Sequence, residues 1–184
     1  TLHCYDNQIS TLILGQNSAL TTLYCGSNLL TTLNLSQNLN LTTLNCRYNL
    51  LTSLDLSQNP NLLDLNCRNN LLDSLSFNQS SALTNLDCRN NLVRSLDLSQ
   101  NPNLNFLNCR ANALINLDER NGNNINFTGF DATNNDSLYC VSVDDSAWSL
   151  NNWVDIDSIT SFSNNCNPST VDIVEIEKTL LVYP

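Results

Sequence analysis

The sequence predicts a mainly β solenoid, with parallel strands stacked in 21-residue coils, two short strands to a coil, and a C-terminal cap carrying a short helix. Three observations predict it. Cys4, Cys25, Cys46, Cys67, Cys88 and Cys109 recur every 21 residues without insertion or deletion. Leu and Asn each supply nearly a fifth of the 184 residues, a skew that a motif repeated many times produces. Each repeat also splits in two, LxxLNCRxN being echoed by LxSLDLSQN, so that each half holds an alternating apolar stretch followed by an Asn-bearing turn.

Leu2, Leu23, Leu44, Leu65, Leu86 and Leu107 stand two residues before each Cys, and Asn7, Asn28, Asn49, Asn70, Asn91 and Asn112 three residues after it. Leu12, Leu33, Leu54, Leu75, Leu96 and Leu117 follow at eight, in the second strand. A single coil cannot bury its own Leu face, but coils stacked about 4.8 Å apart pair their strands and join those faces in one apolar column. The inward Asn amides are expected to donate to and accept from turn backbone of their own coil and its neighbour. A second Asn column, Asn17, Asn38, Asn59 and Asn101, breaks at Ser80 inside the variant turn Phe77-Asn78-Gln79-Ser80-Ser81. The six periodic cysteines project in parallel from adjacent rungs, with Cβ atoms near the rung spacing and not the roughly 3.8 Å of a disulfide. They are expected to form a ladder of buried thiols packing as small hydrophobes. No metal is expected there, because thiolate ligands converge tetrahedrally and these lie in a line.

The unit LxxLxCxxNxLxxLxLSxNxx resembles the leucine-rich repeat, and its nested form with Cys in the first half is similar to the bacterial variant called IRREKO, over residues 1 to 120. The resemblance implies a leucine-rich repeat solenoid of about six coils, placed at residues 1–124. After Cys109 the pattern decays: Glu119 replaces an inward Leu, Gly122 replaces an Asn, and Phe130 stands at the next Cys position by the 21-residue count. Residues 125–166 are expected to cap the open core with Phe127, Phe130, Leu138, Val141, Val143, Trp148, Trp153, Ile156, Ile159 and Phe162. Residues 144–153 suit a short helix opened by Asp and Ser, with its two Trp as cap core in preference to a sugar platform. Cys140 and Cys166 lie outside the period and are either a bonded pair stapling the cap, in an oxidising compartment, or two free thiols. Residues 167–184 read as linker, with Val171, Ile173 and Ile176 allowing a strand. The segment VDDSAWSLNNWVDIDSITSFSNNC resembles the ends of repeat arrays in secreted Bacteroidetes proteins, and KTLLVYP is similar to the start of their C-terminal sorting domain. That resemblance implies export by the type IX secretion system and an extracellular or outer cell surface location.

Charge narrows the partners. The formal net charge is −10, and residues 118 to 184 hold eleven acids and two bases of it, so the acidity belongs to the C-terminal third. Nucleic acid and anionic membrane are therefore not expected as partners, since both need concentrated Lys and Arg. No run of about 18 apolar residues occurs, so no membrane insertion is expected. The chain opens at Thr1 with no signal-peptide pattern and reads as a fragment of a longer protein.

The inward columns are explained by folding, so function is sought on the outward ones. Flanking the Leu-x-Cys strand run Thr22, Thr43, Asp64, Asn85 and Phe106; then His3, Tyr24, Asn45, Asn66, Asp87 and Asn108; then Tyr5, Gly26, Arg47, Arg68, Arg89 and Arg110. Four of the seven basic residues thus form one vertical line. It is either neutralised by Asp64 and Asp87 or offered to an anionic group. The candidate ligand-binding residues are Arg47, Arg68, Arg89, Arg110, Asn45, Asn66, Asp87, Asn108, Tyr24 and Phe106. The second strand faces outward with short polar groups such as Ser53, Asp55, Ser57, Ser95, Asp97 and Ser99, and reads as a solvated face without calcium-loop spacing.

Catalysis finds little footing. The sole His, His3, lies in the first coil, the periodic Cys have no His partner, and the carboxylate pairs Asp144/Asp145 and Asp155/Asp157 read as cap surface or helix N-terminal charge. The sequence is therefore read as a monomeric, cofactor-free recognition module for a protein or a glycan, not an enzyme. The second reading is a structural spacer or accessory domain of a larger secreted protein, and the third a hydrolase borne by the cap.

Overall fold

The computed structural model describes residues 1–77 and 81–166. Its first sheet is a seven-stranded parallel ladder built from β1 (Leu2–His3), β2 (Thr22–Tyr24), β3 (Thr43–Asn45), β4 (Asp64–Asn66), β5 (Asn85–Asp87), β7 (Phe106–Asn108) and β9 (Gly129–Asp131). The second, of four strands, contains β6 (Ser95–Asp97), β8 (Asn116–Glu119), β10 (Cys140–Val143) and β11 (Ser161–Ser163). Strand pairing follows the period: Leu2 lies opposite Leu23, Leu23 opposite Leu44, Leu44 opposite Leu65 and Leu65 opposite Leu86. The second strand of each coil joins a ladder only from β6 onward; segments 32–36 and 53–57 carry no strand pairing, yet Leu33, Leu35, Leu54 and Leu56 are buried all the same.

The core is the column that the spacing dictates. Leu23, Leu44, Leu86 and Leu107, with Cys25, Cys46, Cys67, Cys88 and Cys109, have no exposed surface, while Cys4 in the first rung is only partly buried. These six cysteines are free thiols. Burial drives the Cys25 thiol up to about 12 and the Cys46, Cys67 and Cys109 thiols well above their ordinary range, which keeps these buried rungs neutral.

Each coil turns at a residue with left-handed backbone, among them Tyr48, Asn69 and Asn90 at φ 52 to 55°. The first Asn column then fastens the turn. Asn70 Nδ2 donates to Cys67 O at 2.9 Å in its own coil and to Cys46 O at 3.1 Å in the coil before, while its Oδ1 accepts from Leu51 N at 3.0 Å. Asn28, Asn49 and Asn91 repeat that set, so the amide closes the backbone accounting of two coils at once.

Past Cys109 the stack continues, with one longer coil. The ladder sets Leu107 opposite Phe130, so Phe130 occupies a Leu position and not the Cys position that the 21-residue count gave it. Ala132 takes the cysteine's place, and its carbonyl receives Asn135 Nδ2 at 2.9 Å as Cys109 O receives that of Asn112. The extra residues are taken up around a 3-10 turn at Asn124–Asn126. Beyond it aromatic rings fill the core: Trp153, buried, stacks nearly parallel on Phe130 at 4.1 Å, with Phe127 at 5.0 Å and Phe162 at 5.8 Å. Helix α1 (Ser146–Asn152) starts at Asp145, whose carboxylate accepts from Trp148 N at 2.9 Å. Cys140 and Cys166 are disulfide-bonded, which decides between the two alternatives and ties β10 to the end of the described chain. The irregular turn at 78–80 and the expected linker and strand within 167–184 lie outside the described residues.

Candidate ligand-binding face

Alternation along each strand of the larger sheet turns Leu and Cys inward and the residues between them outward. Backbone bonds continue the ladder past the strand ends, with Cys25 N to Asn45 O at 2.9 Å and Ser27 N to Arg47 O at 2.8 Å. The outward side chains thus stand on a stiff, evenly spaced base. The structure brings all ten candidates to this one face, and it separates them into two groups by what they touch.

Toward the C-terminal end their polar groups are used within the protein. Asp87 lies between two arginines, 3.7 Å from Arg68 Nη1 and 3.6 Å from Arg89 Nε. Burial raises the Asp87 carboxyl even though Arg89 and Arg68 pull it down, and burial likewise raises Asp64, which forms no ion pair among the described residues. Arg68 also lies over the Tyr48 ring at 5.4 Å. Arg110 is met by Asn134, whose carboxamide oxygen, turned toward the guanidinium, accepts from Nε and Nη2 at 3.2 Å. Asn108 is buried and donates to Asp131 Oδ2 at 3.4 Å. The Phe106 ring covers Gly129, where an added Cβ would come within 2.9 Å of it. Asn66 Oδ1 accepts from Arg68 N at 3.4 Å, as Asp87 Oδ1 does from Arg89 N. The Arg line is therefore partly neutralised, and by Asp87 alone of the two acids beside it.

At the N-terminal end the aromatic and Arg positions stay open, while Asn45 Oδ1 accepts from Arg47 N at 3.4 Å as Asn66 does from Arg68 N. His3 and Tyr24 rings sit 4.7 Å apart and tilted by 55°, with Tyr5 6.2 Å from His3 and more than half exposed. Arg47 makes no ion pair among the described residues. Gly26, where the rungs on either side carry Tyr5 and Arg47, is buried, with the Arg47 stem 3.0 Å and the Arg47 carbonyl 3.1 Å from where a Cβ would be. Around it lies an open hollow of about 350 Å³ lined by His3, Tyr5, Tyr24, Gly26, Asn45 and Arg47. Tyr24, Asn45 and Arg47 were candidates from the sequence; His3, Tyr5 and Gly26 were not, although the missing side chain at Gly26 interrupts the Arg column legibly.

On the opposite face, where Thr32, Ser36, Ser53, Asp55 and Gln58 border a hollow of about 370 Å³, the carboxylates are engaged by their own turns. Asp55 Oδ1 accepts from Ser57 N at 2.9 Å and Asp97 Oδ1 from Ser99 N at 3.0 Å, each carboxylate capping its own turn. These bonds hold Asp55 below the usual carboxylate range. Among the described residues no group of three or more His, Cys, Asp or Glu is placed to hold a metal ion, and no helix is long and apolar enough to cross a membrane.

Solved structures share this architecture. The functional domain of InlJ from Listeria monocytogenes, which includes a cysteine ladder, is 36% identical over 77% of this chain, with a TM-score of 0.56. A leucine-rich repeat protein of Leptospira interrogans aligns with a TM-score of 0.62 at 20% identity over 82% of the chain. The leucine-rich repeat domain of APL1B aligns at 0.64 with 24% identity over 87% of it. The chain spans 38%, 45% and 55% of these three, respectively. No protein-family model and no curated protein matches it. The fold is a leucine-rich repeat solenoid, a class built for protein binding in general. Within that fold this chain has 21-residue coils through Cys109 and a column of free cysteines, and it is similar in this to the InlJ domain with its cysteine ladder.

Proposed function

We propose that the chain is an extracellular or outer cell surface recognition module that binds a protein or a glycan through the outward face of the larger sheet, as a monomer and without turnover. One observation carries this reading: aromatic, amide and cationic side chains line up on that stiff face, whereas the outward groups of the opposite face are short and spent on their own turns. The Cys140–Cys166 disulfide supports an oxidising compartment. The likeness of KTLLVYP to a sorting-domain start supports Bacteroidetes origin and type IX secretion, and the repeat pattern supports the IRREKO type.

A spacer is the second reading, favoured by the Arg68–Asp87–Arg89 chain, which is satisfied without a ligand. The two separate in a surface-binding assay against acidic glycans and matrix proteins at graded salt. Recognition by this face predicts binding that weakens with salt and falls at least tenfold for Arg68→Ala with Arg89→Ala, which turns the local charge from +1 to −1. Asp55→Ala with Asp97→Ala on the other face leaves it unchanged. Binding that ignores the first pair and follows the second removes the proposal.

A further inference from the structure

Resting on that reading of the face, we propose that the hollow at Gly26 is a subsite for one acidic sugar residue, a pyranose bearing a carboxylate. Its lining contains no aliphatic side chain, only two tyrosines, a histidine, an asparagine, an arginine and a glycine. Its apolar surface is supplied by the aromatic rings, with polar groups at their edges. A sugar ring has apolar C–H faces and a hydroxyl rim, which matches tilted aromatic faces bordered by hydroxyl, imidazole and carboxamide groups.

Size and charge agree with one ring. The hollow, at about 350 Å³, is at the small end of ligand sites, and it opens to solvent as an end or branch of a glycan requires. Arg47 is the arginine of the line that neither an ion pair nor a neighbouring carboxamide holds, so its guanidinium is available as a two-pronged donor to a carboxylate. Gly26 forms part of the floor and lets Arg47 lie close to it: a Cβ there would come within 3.0 Å of the Arg47 stem, 3.1 Å of its carbonyl and 3.3 Å of Asn45 Oδ1. The floor is fixed by rung-to-rung backbone bonds, Cys4 N to Tyr24 O at 2.8 Å and Asp6 N to Gly26 O at 3.0 Å, so little ordering accompanies binding.

The test titrates the full chain with a glucuronate-terminated disaccharide, its glucose-terminated counterpart and a tripeptide with a free C-terminal carboxylate, following the His3 and tyrosine ring resonances by NMR. The expected result is binding of the glucuronate probe at least tenfold tighter than the neutral sugar and the peptide, with Arg47→Gln removing that preference. Gly26→Arg decides between cavity and charge. It places at this rung the residue found on later ones, at the cost of a shift of the Arg47 stem, and it adds positive charge while filling the hollow; urea unfolding beside the titration checks that the fold is kept. Loss of binding in Gly26→Arg supports the subsite; unchanged or tighter binding overturns it. So does the absence of ring shifts with the glucuronate probe to millimolar concentration, or peptide binding in its place. If the subsite fails in these ways while surface binding still falls for Arg68→Ala with Arg89→Ala, the face reading survives it.

Discussion

Glu119 offers the sharpest check on the packing. It stands at an inward position that Leu98 fills one coil earlier, has no exposed surface, and keeps one polar partner, Asn121 Nδ2 at 3.4 Å from Oε2; Oε1 has none. Burial pushes its carboxyl well above the usual range, and the Asp118, Asp144 and Asp97 charges push the same way. A carboxyl raised by folding holds its proton more tightly in the native chain. Its contribution is therefore intact below the unfolded value, about pH 4.3, and is lost as pH rises toward the folded value. One such group changes stability by about 1.4 kcal/mol per pH unit across that window. Glu119→Gln keeps the shape and cannot ionise. Its stability relative to the parent is expected to rise by that slope from about pH 4.5 upward and to level off once the folded value is passed. Glu119→Leu, which restores the repeat, is expected to follow the same course. Asp64 and Asp87 are also raised but are common to all three proteins, so they cancel in the difference. Urea unfolding measured from pH 4 to 9 reads the effect. Parallel stability curves for parent and Glu119→Gln would refute the view that an ionisable group sits uncompensated in the core.

Iodoacetamide at pH 8 is expected to label Cys4 in the native chain and all six periodic cysteines in denaturant, as mass spectrometry of the unreduced protein would count; rapid native labelling of Cys67 contradicts its burial. Cys67→Asp is expected to abolish cooperative unfolding while Cys67→Ala costs only a few kcal/mol, and equal tolerance of both would mean that the column faces water. Asn70→Ala leaves Leu51 N without its acceptor, while Cys46 O still accepts from Asn49 and Cys67 O from Asn91; a loss of about 1 to 3 kcal/mol is expected for the one buried group left unpaired, and a loss below about 1 kcal/mol by urea titration would show that water replaces the amide. Replacing Cys140 and Cys166 by Ser opens a cross-link spanning 26 residues and is expected to lower stability by about 3.5 kcal/mol, the chain-entropy figure for such a loop. An unchanged melting temperature would show the staple to be idle.

Regularity made the fold legible. A 21-residue period with Leu, Cys and Asn at fixed offsets leaves one way to bury the apolar groups and pair the turns, and Asn70 bonds to the two coils that its spacing demands. Where the chain inserts residues, the signal fails. The apolar residue in the added length near Asn121–Asn126, Ile125, is exposed and fits no inward column, so Phe130 counts to a Cys position while packing forces its ring into the Leu column. The face was legible as columns but not as contacts. Asp64 stands one outward column further from the arginines than Asp87, and it is Asp87, two residues before Arg89, that lies within ion-pair distance of both Arg68 and Arg89.

A repeat keeps at every rung what folding needs at every rung, so departures from it carry separate information, and their direction matters. Glu119 departs inward and lowers the stability of the core around it, with an oxygen unpartnered among buried atoms. Gly26 departs outward, where Leu23 and Cys25 beside it remain fully buried and the core is undisturbed. What Gly26 removes is a side chain from the face, and what its absence exposes is Arg47, with two tyrosines and a histidine around the gap. Later rungs carry an arginine at this place, whereas a Cβ on Gly26 would meet the Arg47 stem at 3.0 Å and its carbonyl at 3.1 Å, so glycine here lets Arg47 lie close across the rung. Close packing and an entering ligand both call for glycine, and Gly26→Arg separates them: the first is read as lost stability, the second as lost binding.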